Sequence, residues 1–134
     1  MNAKPTILAA LALALAAYGG AAMAGEADVT AVAVRSGATY SFSVTVRHAD
    51  EGWEHFANRW EVVSLDGKVL ATRVLAHPHV NEQPFTRSLS GVTLPAGTRE
   101  VRLRAHDSVH KLGGTDLIVN LETGASRAAP GDES

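Results

Sequence analysis

Six histidines occur in this chain of 134 residues, in three close pairs: His48 with His55, His77 with His79, and His106 with His110. Imidazole is the commonest protein ligand for transition metals, and pairs carried on three loops can supply a whole inner shell. In an extended His77-Pro78-His79 segment both rings point to the same side, and Pro78 limits the freedom lost on chelation. His106 and His110 pair at i, i+4 if residues 107 to 111 form a helical turn. His48 continues the inward parity of Val44 and Val46, which places it at the mouth of a core. The expected order as ligands is His77 and His79, then His106 and His110, then His55 and His48, with three or four of the six in the shell. Asp107, Asp50, Glu54 and Glu82, with Glu51, are nearby oxygen donors that can ligate or orient an imidazole through its second nitrogen.

The rest of the composition narrows the metal. The sequence has no cysteine, and its two methionines, Met1 and Met23, both precede Gly25. Iron-sulfur clusters, attached haem, blue-copper centres and thioether Cu(I) carriers all require sulfur. Imidazole and carboxylate ligands suit Cu(II) or Zn(II), with Ni(II) and Fe(II) compatible by chemistry. Taken singly, each histidine reads as a loop residue or a hydrogen-bonded residue at the core edge. Their joint placement is what favours a site.

Residues 1 to 24 read as a secretory signal peptide. Lys4 is the only charge, Ile7 to Ala17 is unbroken apolar chain, and Ala22-Met23-Ala24 is a small-x-small cleavage site. That run is shorter than a membrane span. The expected product begins at Gly25, is periplasmic or secreted, and has no cysteine for a lipid anchor. Removing 24 of 134 residues leaves 110, enough for one domain without staples. The whole chain carries 12 basic and 14 acidic residues; losing Lys4 leaves 11 against 14, a net charge of −3. On that balance nucleic acid is not an expected partner.

The elements that must hold the histidines are strands. Val29 to Arg35 is rich in valine, and Tyr40, Phe42, Val44 and Val46 alternate with polar residues, as a half-buried strand does. Trp60 and Val62 share a face of the next strand, and Asp66-Gly67 predicts a two-residue type I′ hairpin returning through Lys68 to Ala76. Phe85 to Val92, the run through Val101, Leu103 and Ala105, and Leu117 to Leu121 complete seven strands. Trp53, Phe56, Ala57 and Trp60 have helical spacing, so a short helix is expected between the second and third strands. Arg102 and Arg104 on one strand, with Arg59 and Glu61 on its neighbour, read as a salt-bridged solvated face. The expected fold is a seven-stranded antiparallel immunoglobulin-like β-sandwich over 25 to 122, with a disordered tail over 123 to 134.

The second, fourth and sixth strands of such a sandwich finish at one end, which gathers all six histidines. Superoxide reductases join an immunoglobulin-like sandwich to four histidines, but they need a cysteine ligand that this chain lacks. Periplasmic copper-resistance β-proteins bind Cu(II) through histidines but typically use the mature amino-terminal residue, which here is expected to be Gly25, and neither resemblance extends to a motif. The stretch His77-Pro78-His79-Val80-Asn81-Glu82-Gln83-Pro84-Phe85-Thr86-Arg87-Ser88 resembles one found in small exported bacterial proteins of unassigned activity, over Trp53 to Gly114, and that resemblance implies no function. Motifs for serine nucleophiles, phosphate-binding loops and paired catalytic carboxylates are absent, so the chain is not expected to be an enzyme, although a metal-dependent reaction stays open. The expectation is an exported Cu(II)- or Zn(II)-binding protein for delivery, buffering or resistance. The alternative is a metal-free module gripping an exported protein partner through the same loops, with Trp53 and Phe56 as anchors.

Overall fold

The computed structural model describes residues 25 to 131; the expected signal peptide lies outside the described residues. Eight strands follow in order: β1 (Asp28–Ser36), β2 (Tyr40–Arg47), β3 (Ala57–Val63), β4 (Val69–Val74), β5 (Phe85–Val92), β6 (Glu100–Asp107), β7 (Thr115–Asn120) and β8 (Ser126–Pro130). They form a three-stranded sheet, β1-β2-β5, and a five-stranded sheet, β4-β3-β6-β7-β8, and every pairing is antiparallel.

Alternating residues create the core. Phe42, Val44 and Val46 of β2 face Trp60 and Val62 of β3, Val101, Leu103 and Ala105 of β6, and Val119 of β7, all buried. A strand turns every second side chain to one face, so one apolar residue in two is enough to join two sheets. Trp60 is fully buried and pairs across the sheet with Ala105, a small residue that leaves room for the indole.

Three local expectations are corrected. The strand count is eight rather than seven, because Ser126–Pro130 lies within the expected disordered tail yet pairs with β7 from Val119↔Ser126 to Thr115↔Pro130. Backbone hydrogen bonding to an open sheet edge orders a segment with no apolar pattern of its own. The helix expected near Trp53 is absent among the described residues, which there form turns. The Asp66-Gly67 turn is not type I′, which needs positive φ at both central residues. Gly67 alone has it, at 97°, and Ser64 N–H donates to Lys68 O at 2.8 Å, giving a three-residue loop instead.

The polar face of the larger sheet is closed by ion pairs, in line with the salt-bridged reading. Glu61 accepts from Arg104 Nε at 2.7 Å and from Arg59 Nε at 2.8 Å. Burial pushes the Glu61 carboxyl up, and the hydrogen bonds and charges of Arg104 and Arg59 outweigh it, so the group ends below its ordinary value. A lowered folded-state value stabilises the protein above the unfolded value, near 4.5, and that stabilisation is lost as pH falls through the folded value. Stability measured by urea denaturation should therefore fall on acidification below pH about 4.5 in the parent chain, and Glu61→Gln should flatten that limb of the profile.

Candidate metal centre

Inward parity places the central residues. Continuing Phe42, Val44 and Val46 by one step beyond β2 brings His48 into the core mouth, and continuing Val101, Leu103 and Ala105 along β6 brings in Asp107, which is 0% exposed. The loop between β2 and β3 closes over them. Glu51 N–H donates to His55 O at 2.8 Å, and Phe56 and Ser108 exchange two hydrogen bonds, Ser108 N–H to Phe56 O at 2.9 Å and Phe56 N–H to Ser108 Oγ at 3.0 Å. Those bonds tie this loop to the one after β6 and bring His55 beside Asp107.

Three donor atoms converge as a result. His48 Nε2 lies 2.6 Å from Asp107 Oδ1, and His55 Nε2 lies 2.9 Å from the same oxygen. Both rings are held from behind: His48 Nδ1 donates to Asp50 Oδ1 at 2.6 Å, and His55 Nδ1 to Glu51 Oε1 at 2.9 Å. A carboxylate on one imidazole nitrogen fixes the ring and leaves the other nitrogen to face a metal. The Asp107 carboxylate is divided in the same way. Oδ2 accepts from Val109 N–H at 2.9 Å, from His110 N–H and from His110 Nδ1 at 3.1 Å, holding the following loop, while Oδ1 has no hydrogen-bond partner. His55 Nε2 is also buried without one.

A buried carboxylate oxygen left without a hydrogen bond is costly, and with two imidazole nitrogens beside it the group has a composition that could hold a cation. Donors of one tetrahedral ion with bonds of about 2.0 Å lie roughly 3.3 Å apart. To hold such an ion, the two nitrogen–oxygen distances would open by roughly half an ångström. Burial lowers His48, but hydrogen bonds to Asp50 and to the Gly25 carbonyl, with the charge of Asp107, raise it above its ordinary value. His55 is raised in the same sense, burial being outweighed by Glu51 and Asp107.

The other expected ligands are distributed around this centre. His110 joins it through Asp107, its ring centroid 5.0 Å from that of His55. His77 and His79 contact each other at 4.7 Å, and His79 stacks on Phe85 at 3.9 Å. Arg87 Nη2 donates to His79 Nε2 at 2.9 Å, and an arginine cannot accept, so the His79 ring carries its proton on Nδ1, which is buried and unpartnered. His106 lies on the alternate face of β6, where it is buried and bonds Asn58 Oδ1 at 2.7 Å through Nδ1. Glu82 sits 3.4 Å from Arg87, and Glu54 is exposed.

The His77 to Gln83 stretch instead supports the centre. His79 N–H donates to Asp50 Oδ2 at 2.6 Å, Gln83 Oε1 accepts from His48 N–H at 2.9 Å, and Gln83 Nε2 donates to His79 O at 2.8 Å. Asp50 also accepts from Ala57 N–H at 3.1 Å, so one carboxylate joins three segments. The parity of β6, read one inward position beyond Ala105, was the sequence signal for Asp107 as a central group. Gln83 carried no such signal.

Asp50→Ala removes three hydrogen bonds at a buried carboxylate and should lower stability by about 3 kcal/mol in urea denaturation. Glu51→Ala, at an exposed carboxylate, should leave the midpoint nearly unchanged.

Comparison with known proteins finds a relative described as "Putative lipoprotein", from Halomicrobium mukohataei, 42% identical over 105 residues that make up 77% of this chain and 51% of the relative. The chain thus spans about half the length of the curated relative it matches. No protein-family model matches it, and no solved structure does.

Proposed function

We propose that this is an exported protein that binds one Cu(II) or Zn(II) ion through His48, His55 and Asp107, serving metal delivery, buffering or resistance. The convergence of two back-supported imidazole nitrogens on an unpartnered buried carboxylate oxygen carries this reading. Two nitrogens and one oxygen form a borderline donor set, suited to both ions. The strand orders β1-β2-β5 and β4-β3-β6-β7 support an immunoglobulin-like arrangement, in which loops at one end of a rigid sandwich carry the ligands. Export is supported by the signal-like segment before Gly25 and by similarity to a protein described as a lipoprotein. No helix of the described residues is long and apolar enough to cross a membrane.

A second reading has its own observation. Trp53 is 69% exposed and packs edge-on against Phe56 at 5.7 Å, an aromatic pair open to a protein partner beside the same centre.

Calorimetry separates the two. The metal reading expects one Cu(II) or Zn(II) per chain at neutral pH, a rise in thermal midpoint with added ion, and loss of binding in His55→Ala, while His77→Ala binds normally. Affinity should fall with acidification, because imidazolium cannot ligate. With His48 and His55 raised above 6.5, the fall should begin above that pH. Weak binding of several ions, insensitive to His55→Ala, would leave the interaction module, whose partner affinity Trp53→Ala should reduce.

A further inference from the structure

We propose that cleavage between Ala24 and Gly25 turns the α-amine of Gly25 into a fourth donor of the His48, His55 and Asp107 centre, so that tight Cu(II) binding belongs to the processed chain alone. The inference rests on the metal reading above and extends it to a ligand that no side chain provides.

Gly25 lies among the rings. Its carbonyl oxygen is 2.8 Å from His48 Nε2, and a Cβ built on it would fall 2.0 Å from His110 Cε1. Sheet register places it there. β1 runs antiparallel to β2, Asp28 pairs with Arg47, and the chain preceding Asp28 must therefore emerge beside the residue that follows Arg47, which is His48. Burial of Ala27 and the hydrogen bond from Thr115 N–H to Asp28 Oδ1 at 2.8 Å fix the approach. The backbone nitrogen is three bonds from the carbonyl oxygen, within roughly 3.5 Å of it, which keeps the nitrogen close beside the centre.

The small-x-small signal at Ala22-Met23-Ala24 reaches the same residue without reference to the fold. The two observations are independent, and both end on Gly25. Glycine also suits the position sterically, since any Cβ would enter the His110 ring space.

Processing changes the chemistry of that nitrogen. In the uncut chain it is a planar amide whose lone pair is delocalised into the carbonyl, and it ligates poorly. A signal peptidase adds water across the bond, leaving a carboxylate on Ala24 and an amine on Gly25. The neutral amine offers a lone pair. Two imidazole nitrogens, an amine nitrogen and the Asp107 oxygen make a three-nitrogen, one-oxygen set, which fits tetragonal Cu(II).

The test compares the chain beginning at Gly25, the same chain with Gly25 α-acetylated, and a chain retaining Ala24. Each is titrated with Cu(II) by calorimetry and measured by electron paramagnetic resonance, with matching thermal midpoints of the metal-free forms as the control for folding. The Gly25 chain should bind one Cu(II) with hyperfine structure from three nitrogens. The blocked and extended chains should show two, with affinity lower by roughly two orders of magnitude. Equal affinity and equal nitrogen count in all three overturn the amine as ligand and leave the three-residue site standing. Absence of stoichiometric Cu(II) binding in every form overturns the metal reading as well. Mass spectrometry of the exported protein should find Gly25 first, and any other start would refute the proposal.

Discussion

A carboxylate with no solvent exposure dominates this end of the molecule. Asp107 ends a strand whose inward residues are otherwise apolar, so its charge can be tolerated only where donors or cations surround it. Its two oxygens divide the task. One closes the loop after β6 through two backbone N–H groups and His110, and the other is left facing His48 and His55. The β2–β3 loop, the bonds between Phe56 and Ser108, and the β4–β5 stretch are arranged around that second oxygen.

Support for the centre comes in layers. Asp50 and Glu51 turn the ring nitrogens of His48 and His55 toward Asp107, and Asp50 is itself held by His79 and Ala57 backbone N–H groups. The end of β2, the start of β3 and the β4–β5 stretch therefore share one acceptor. Such a network keeps the imidazoles oriented, which would lower the entropic cost of binding for an ion at this centre. The sandwich beneath supplies the rigidity, because Trp60, Phe42 and Leu103 fill the space between the sheets just below the loops.

The charged face of the larger sheet contributes differently. Glu61, Arg59 and Arg104 satisfy one another across neighbouring strands and leave no unpaired charge at a buried carboxylate. These arginines thus read as part of the scaffold, while the histidine end carries the donor geometry.

Much of the scaffold was legible in the chain. Period-two alternation marked the core strands, and strand direction alone put three histidine pairs at one end, because antiparallel neighbours must reverse. The donor types were equally legible, since the absence of sulfur after Met23 leaves imidazole and carboxylate. Tertiary structure decided which of those donors meet. His77-Pro78-His79 has the stronger local signal, yet Arg87 and Phe85, brought in from β5, engage the His79 ring, while the His79 backbone goes to Asp50. His106 lies in β6 and His110 in the loop after it, and they take different partners, Asn58 and Asp107, because strand parity at the end of β6 acts before any helical turn can form. His48, His55 and Asp107 are spread over 60 residues, and so are joined only by packing of two loops at one end of the sandwich. Local spacing determines which side chains can point the same way; contact between distant segments depends on register and loop closure, which no short motif encodes.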